Sequence, residues 1–182
     1  MNRVDRWLQR MRIGRALRWM PSDGTALDVG CSDGTLFREG STLIKSGLGV
    51  DTEEPTTWPD GPYQFRRGSF PDVLADGEIF DAVMMLAVVE HVPNELLASW
   101  AAAVPNLLRH GGRLIMTIPS PMVDRILDVG IRLRLLHGMD VEHHHGLDPA
   151  LIPQKFAVGP MRLIKQSRFE FGLNHLLVFE RR

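Results

Sequence analysis

A single cysteine, Cys31, stands in a chain of 182 residues, and that scarcity excludes an intramolecular disulfide framework and fits a reducing compartment. An excess of one charge is equally lacking: 21 Lys and Arg against 22 Asp and Glu leave a formal net charge of −1. Dedicated nucleic-acid binders usually carry a broad basic face, so no nucleic-acid partner is expected. No apolar run is long enough to span a bilayer, and the N-terminus is amphipathic rather than signal-like. The cytoplasm is therefore the expected location. No repeat and no linker divides the sequence, so one domain is expected over 1–182, a length that buries about 70% of the surface an unfolded chain exposes.

The charge balance hides one asymmetry. The first twenty residues hold Arg3, Arg6, Arg10, Arg12, Arg15 and Arg18 against one acid, Asp5. Val4, Trp7, Leu8 and Met11 form one helical stripe, and Ile13, Ala16, Leu17 and Met20 form another, out of phase across Gly14. That pattern predicts two short helices within the N-terminal segment 1–21. Their arginine-rich outer faces are expected in solvent, with peripheral contact to a membrane as the sharper alternative.

The stretch that organises the rest is Leu27-Asp28-Val29-Gly30-Cys31-Ser32-Asp33-Gly34, an apolar strand end that enters a glycine turn and then a helix. Glycines at 30 and 34 allow positive φ and close approach to a ligand, and the following helix presents free N–H groups. The spacing Gly30-x-x-x-Gly34, with Asp28 two positions ahead, departs from the G-x-G-x-x-G of dinucleotide binders. Asp51 and Thr52 follow the next buried run, Leu48-Gly49-Val50. Asp51 lies about twenty residues past the first glycine, where a ribose would cross the sheet edge.

The remaining pattern alternates strand and helix. Thr25–Val29 predicts the first strand, Leu36 to Ile44 a helix, Gln64–Arg66 a short third strand and Phe80–Leu86 a fourth, apolar nearly throughout as a strand covered on both faces should be. Pro93 opens a helix with the stripe Leu97, Trp100, Ala101, Val104 and Leu108, which Pro105 is expected to kink and Gly111-Gly112 to cap. Arg113–Ile118 then predicts the fifth strand. Met122–Leu136 reads as a helix, Glu142–Gly146 as a polar loop and Leu147–Val158 as a last helix. Two alternating runs, Leu163–Phe171 and Leu173–Glu180, predict a terminal antiparallel hairpin turned by Gly172.

These motifs, in this order, resemble the class I S-adenosylmethionine (SAM) dependent methyltransferases, particularly the small-molecule group that includes the ubiquinone-biosynthesis type. The resemblance covers about residues 14 to 182 and runs through Leu27–Gly34, Gly49-Val50-Asp51, Phe80–Leu86, Glu90-His91-Val92, Leu107–Leu114 and the closing hairpin. It implies a Rossmann-like α/β fold whose seven-stranded sheet is mostly parallel, with an antiparallel seventh strand between the fifth and sixth and helices on both faces. It implies SAM as the cofactor, with Gly30, Cys31, Ser32 and Gly34 along its methionine part. Asp28 would support the turn and the amino group, and Asp51, with Thr52 beside it, would take the ribose hydroxyls. Ser69 and Phe70 would lie beside the adenine and Leu86 under the cofactor. Two departures stand out: Ser32 replaces the middle glycine of the family's turn, and Ser69 stands where many relatives have an acid. The Asn/Asp-Pro-Pro-aromatic motif of base-amino methylation is missing after the fourth strand, where this chain has Leu86-Ala87-Val88-Val89.

The function expected is methyl transfer to a small-molecule acceptor at oxygen, and the alternative is a SAM-binding or cofactor-free module acting through protein partners. An alcohol or phenol must lose a proton as it is methylated, which makes a histidine with a near-neutral pKa useful. His91, after the fourth strand, and His144, in the His143-His144-His145 run, are the candidates. The plainer role for His91 is capping or packing at a helix start. His143 and His145 could converge with Glu142 or Asp140 on an ion, but no fixed ligand spacing supports it and no metal is expected. Residues 119–147, with apolar positions such as Val123, Ile126 and Leu127 interspersed with Arg125, Arg132 and Arg134, read either as a packed helix or as a lid over an apolar or lipid-linked acceptor.

Overall fold

The structure, a computed structural model, describes residues 3–120 and 149–182. Its centre is a seven-stranded sheet with the order β3-β2-β1-β4-β5-β7-β6. The strands are β1 (Gly24–Val29), β2 (Ile44–Asp51), β3 (Tyr63–Arg67), β4 (Phe80–Leu86), β5 (Leu108–Pro119), β6 (Met161–Phe169) and β7 (Asn174–Arg181). Pairing is parallel from β3 through β5. β7 then runs antiparallel to both β5 and β6, the expected arrangement of the hairpin. The order reverses between β1 and β4, and the crevice outside the strand ends at such a reversal is where open α/β sheets take ligands.

Each face is sealed by its own apolar layer. On one, Ile13, Ala16, Leu17 and Met20 of helix α1 (Arg3–Leu17) and its exit, with Leu36 and Phe37 of α2 (Thr35–Glu39), pack on Ala26, Ile44, Ala82, Met84, Ile115, Leu176 and Val178. On the other, Leu97, Trp100, Ala101 and Val104 of α3 (Asn94–Leu107) and Ile152 and Phe156 of α4 (Ile152–Phe156) pack on Leu27, Val50, Val83, Met85, Leu114, Met116, Leu177 and Phe179. Successive side chains of a strand point to opposite faces, so β4, with Ala82 through Met85 fully buried, has no polar alternation.

Several boundaries differ from the sequence pattern. The N-terminal segment forms one helix, α1 (Arg3–Leu17), rather than two. Gly14 faces open space, where a helical glycine costs only about 1 kcal/mol, and Trp7 of the first stripe is exposed instead of defining a second packed face. α2 stops at Glu39 and β2 begins at Ile44, within the stretch expected to be helical. Gly40 ends the helix in tight quarters, since a Cβ there would come within 2.8 Å of Ile44 Cδ1 and 2.9 Å of Leu17 Cδ2. Gly111-Gly112 does not cap α3. The helix, with Pro105 in its last turn, passes directly into β5 at Leu108, and the glycines lie inside that strand where its register with β4 shifts. The last helix is shorter than expected, Ile152–Phe156. The helix expected over Met122–Leu136, the histidine loop and nearly all of the segment 119–147 lie outside the described residues.

Candidate functional site

The turn after β1 is built by backbone, and its side chains follow from that. Gly30 N–H and Cys31 N–H donate to the Val50 carbonyl (2.8 and 3.3 Å), lacing the turn to β2, and Gly34 N–H closes it on the Cys31 carbonyl (2.9 Å). Gly30, Ser32 and Gly34 hold φ of 72°, 47° and 70°. Ser32 thus adopts the left-handed conformation that glycine takes freely, and its N–H donates to Asp51 Oδ2 (2.9 Å). Asp33 accepts from Thr35 N–H and its hydroxyl (3.2 and 2.6 Å) and pairs with Arg38 at 2.8 Å, which anchors the start of α2.

Asp51, at the tip of β2, also accepts from Glu53 N–H through Oδ1 (3.1 Å). A carboxylate offers about four acceptor sites, so both oxygens keep lone pairs after these two bonds. Just past the end of β4, Ala87 is held at φ 58° while its N–H donates to the Thr117 carbonyl (2.9 Å). A single 3-10 turn, Val89–His91, follows and delivers His91.

Two cavities open here. One, of about 660 Å³, is lined by Gly30, Asp51, Thr52, Ser69, Phe70, Ala87, Val88, His91, Leu96 and Trp100 among others. Phe70 is fixed in its wall by an edge-on contact with Trp100 at 4.9 Å between ring centres. The other, of about 190 Å³, is lined by Gln9, Arg12, Ile13, Asp28, Gly30, Cys31, Ser32, Leu36, Leu86 and Ala87. Gly30 and Ala87 belong to both, so the cavities adjoin at the tips of β1 and β4. A Cβ at Gly30 would stand 2.6 Å from Val88 Cγ2, which leaves only glycine at the junction.

The electrostatics are those of an acid cluster. Asp28 is buried, and no hydrogen bond reaches its carboxyl among the described residues. Burial first, and then the charges of Asp51 and Asp33, push its pKa well above the usual carboxylate range. The same causes, burial ahead of Asp28 and Asp51, push the Cys31 thiol up, so Cys31 is a neutral packing group rather than a nucleophile. At the edge of the smaller cavity, the charge of Arg12 also bears on Glu170 in the turn between β6 and β7. Burial raises the Glu170 carboxyl; Arg12, a hydrogen bond from Asn174 and Arg15 pull it down by less.

The sequence candidates are therefore distributed unevenly. Gly30, Asp51, Thr52, Ser69, Phe70 and His91 line the larger cavity, and Asp28, Cys31, Ser32 and Leu86 line the smaller. Gly34 lines neither: a Cβ there would meet Pro59 Cδ at 2.6 Å, so its place is under the 58–59 loop. His144 lies outside the described residues. Val88, Leu96 and Trp100 in one wall, and Gln9 and Arg12 in the other, were not anticipated. A signal for Gln9 was present, because it continues the buried stripe Ile13, Ala16, Met20 at helical spacing as a polar residue.

A family model described as a methyltransferase domain matches residues 3–152. No curated protein sequence matches the chain. Among solved structures, the PH0226 protein from Pyrococcus horikoshii superposes with a TM-score of 0.73 at 14% identity, over 100% of this chain and 92% of that one. The 1,6-didemethyltoxoflavin-N1-methyltransferase of Burkholderia thailandensis, solved with S-adenosylhomocysteine, gives 0.70 at 14% identity over 98% and 81%. The magnesium protoporphyrin IX methyltransferase of Synechocystis, also with bound S-adenosylhomocysteine, gives 0.68 at 17% identity over 100% and 89%. At these identities the likeness is one of fold.

Proposed function

The chain belongs to the methyltransferase-domain family and is a SAM-dependent methyltransferase, and from that premise we propose that it methylates a small-molecule acceptor at oxygen, with the adenosyl part of SAM in the larger cavity and the methionyl part in the smaller. The observation that carries this reading is the buried Asp28 carboxyl beside Gly30, without a partner among the described residues and with Asp51 and Asp33 in its field. Such a cluster favours a cation and disfavours the pyrophosphate of a nicotinamide dinucleotide.

SAM supplies a methyl group already activated by a sulfonium leaving group. The residues of the chain hold and orient. Asp51 accepts the ribose hydroxyls, Phe70 and Ser69 flank the adenine, and Asp28 holds the ammonium. Gln9 and Arg12 hold the carboxylate from the α1 side. The Gly30 backbone passes close because no side chain intervenes. With the methyl so activated, alignment of acceptor, methyl and sulfur provides most of the rate. His91, in the wall of the larger cavity, takes the proton of the acceptor hydroxyl.

Calorimetric titration with SAM, S-adenosylhomocysteine and NAD tests the cofactor seat, since only the first two should bind. Incubation with methyl-labelled SAM and fractionated quinone, glycan-lipid and metabolite extracts then identifies the acceptor. Labelling of nitrogen or carbon alone would overturn the assignment to oxygen.

A further inference from the structure

The outward side of α1 is where exposed aromatic surface and exposed positive charge coincide. Trp7 is 55% exposed, more than any other large apolar side chain described. Arg6 and Arg10 are exposed on the same stretch of α1, and Arg18 is exposed one residue past its end; with 3.6 residues per turn Arg10 lies about 60° around the helix from Trp7 and Arg6 adjoins Arg10. Farther along the helix Ile13, Ala16 and Leu17 are buried on the sheet, so α1 is anchored and the exposure of Trp7 is not the result of a loosely packed helix. Among the described residues, one acid reaches the outward face: Glu39 of α2 lies 3.0 Å from Arg10 Nε, with the two side chains 37% and 68% exposed, and ion pairs that open to water hold weakly. Arg12 and Arg15 turn elsewhere, toward Glu170 and the Phe169 ring.

We propose that this face docks the protein on an anionic lipid surface, with Arg6, Arg10 and Arg18 against headgroup phosphates and Trp7 at headgroup depth. Charge distribution selects that occupant. The first twenty residues hold six arginines and one acid in a chain of net charge −1, so the other 162 residues are net acidic by six. An anionic bilayer attracts α1 and repels the body, which orients the molecule, and the indole is suited to the interface. No described helix is long and apolar enough to cross a membrane, so the association is peripheral. Gln9 and Arg12 of the same helix wall the smaller cavity, which puts the site beside the docked surface. The docking does not depend on the methyl-transfer reading.

Flotation of the full chain with vesicles of phosphatidylcholine, alone and mixed with phosphatidylglycerol, tests it in the absence of SAM. Partitioning should occur only on the mixed vesicles and fall at high salt. Each neutralised arginine should cost about fivefold in partitioning, so Arg6→Gln/Arg18→Gln should bind roughly 25-fold more weakly. Trp7→Ala should weaken binding further, and Trp7→Phe should restore part of it. Circular dichroism of each variant reports that the helix is intact. Binding to neutral vesicles alone, no binding to the mixed vesicles, or a double variant that partitions like the unmodified chain would each overturn the proposal. So would tighter binding to a duplex DNA or an RNA than to the mixed vesicles.

Discussion

Replacing Asp28 by Asn should move stability and cofactor affinity in opposite directions. The carboxyl is buried, no described group donates to it, and burial together with Asp51 and Asp33 raises its pKa. A raised carboxylate pKa means that the folded state holds the proton more tightly than the unfolded one. The stabilising contribution is complete below the unfolded value and is lost as pH rises through the folded one. At neutral pH the folded protein therefore bears the cost of an ionised or newly protonated acid at a buried position, and the amide escapes it. A buried polar group without a partner costs about 1–3 kcal/mol, and the amide keeps part of that cost, so a gain of about 1 kcal/mol is expected, or about 2–4 °C in Tm. In acid, where Asp28 is protonated in both states, the gain should vanish. Binding should suffer: a charge-assisted hydrogen bond is worth about 1.5–3 kcal/mol, so SAM affinity should fall by about 10- to 150-fold. Thermal denaturation across pH, paired with calorimetric titration at one neutral pH, gives both numbers. A variant that is less stable at neutral pH, or that binds SAM as well as the unmodified chain, would refute the argument.

Asp51→Ala removes the acceptor for Ser32 N–H along with the proposed ribose contact, and titration should show SAM affinity reduced at least about tenfold with the far-ultraviolet circular dichroism unchanged. Ser32→Gly relieves a left-handed serine at φ 47°; it should raise stability by about 1 kcal/mol in denaturant unfolding and leave SAM binding within about twofold, because only the backbone N–H of Ser32 bonds Asp51. His91→Gln should lower turnover on a hydroxyl acceptor by about 10² to 10⁴-fold in a labelled-methyl assay while titration shows SAM binding intact. Arg12→Gln should weaken binding of SAM but not of decarboxylated SAM, and equal losses for the two ligands would remove Arg12 from the carboxylate.

The parts of this molecule that announce themselves in sequence are those where one physical demand acts alone. β4 was legible over its whole length, Phe80–Leu86, because a strand covered on both faces is apolar nearly throughout, here interrupted only by Asp81 near its start. The places of Gly30, in the turn after β1, and Asp51, at the tip of β2, were legible because glycine and an acid at that spacing mark a tight turn and a strand end. Where two demands compete, the reading slipped. Gly14 suggested a helix break, yet nothing crowds it and α1 continues through it on packing from either side. Gly111-Gly112 suggested a cap, yet their conformational freedom is spent inside β5, where a Cβ at Gly112 would stand 2.8 Å from the Arg109 carbonyl. Gln9 and Arg12 were overlooked because polar residues at the inner edge of an amphipathic helix look like interruptions of its apolar stripe; what they face is a polar cavity that only the assembled sheet creates.

The acid cluster also bears on how the site is cleared after each cycle. Asp28, Asp51 and Asp33 come from two adjacent strand ends and the turn between them, and their mutual repulsion, with burial, holds the Asp28 carboxyl in an unfavourable state when nothing positive is near. Methyl transfer converts a sulfonium into a neutral thioether, so the charge that offsets this repulsion is diminished at the moment of reaction. In the placement proposed above, the ammonium held by Asp28 is common to reactant and product, so only the loss of the sulfonium charge, felt by the cluster as a whole, would favour the reactant form over the product form. Only interactions that distinguish the states along the reaction alter its course, and in that placement the acid cluster would make the distinction by charge, whatever the acceptor.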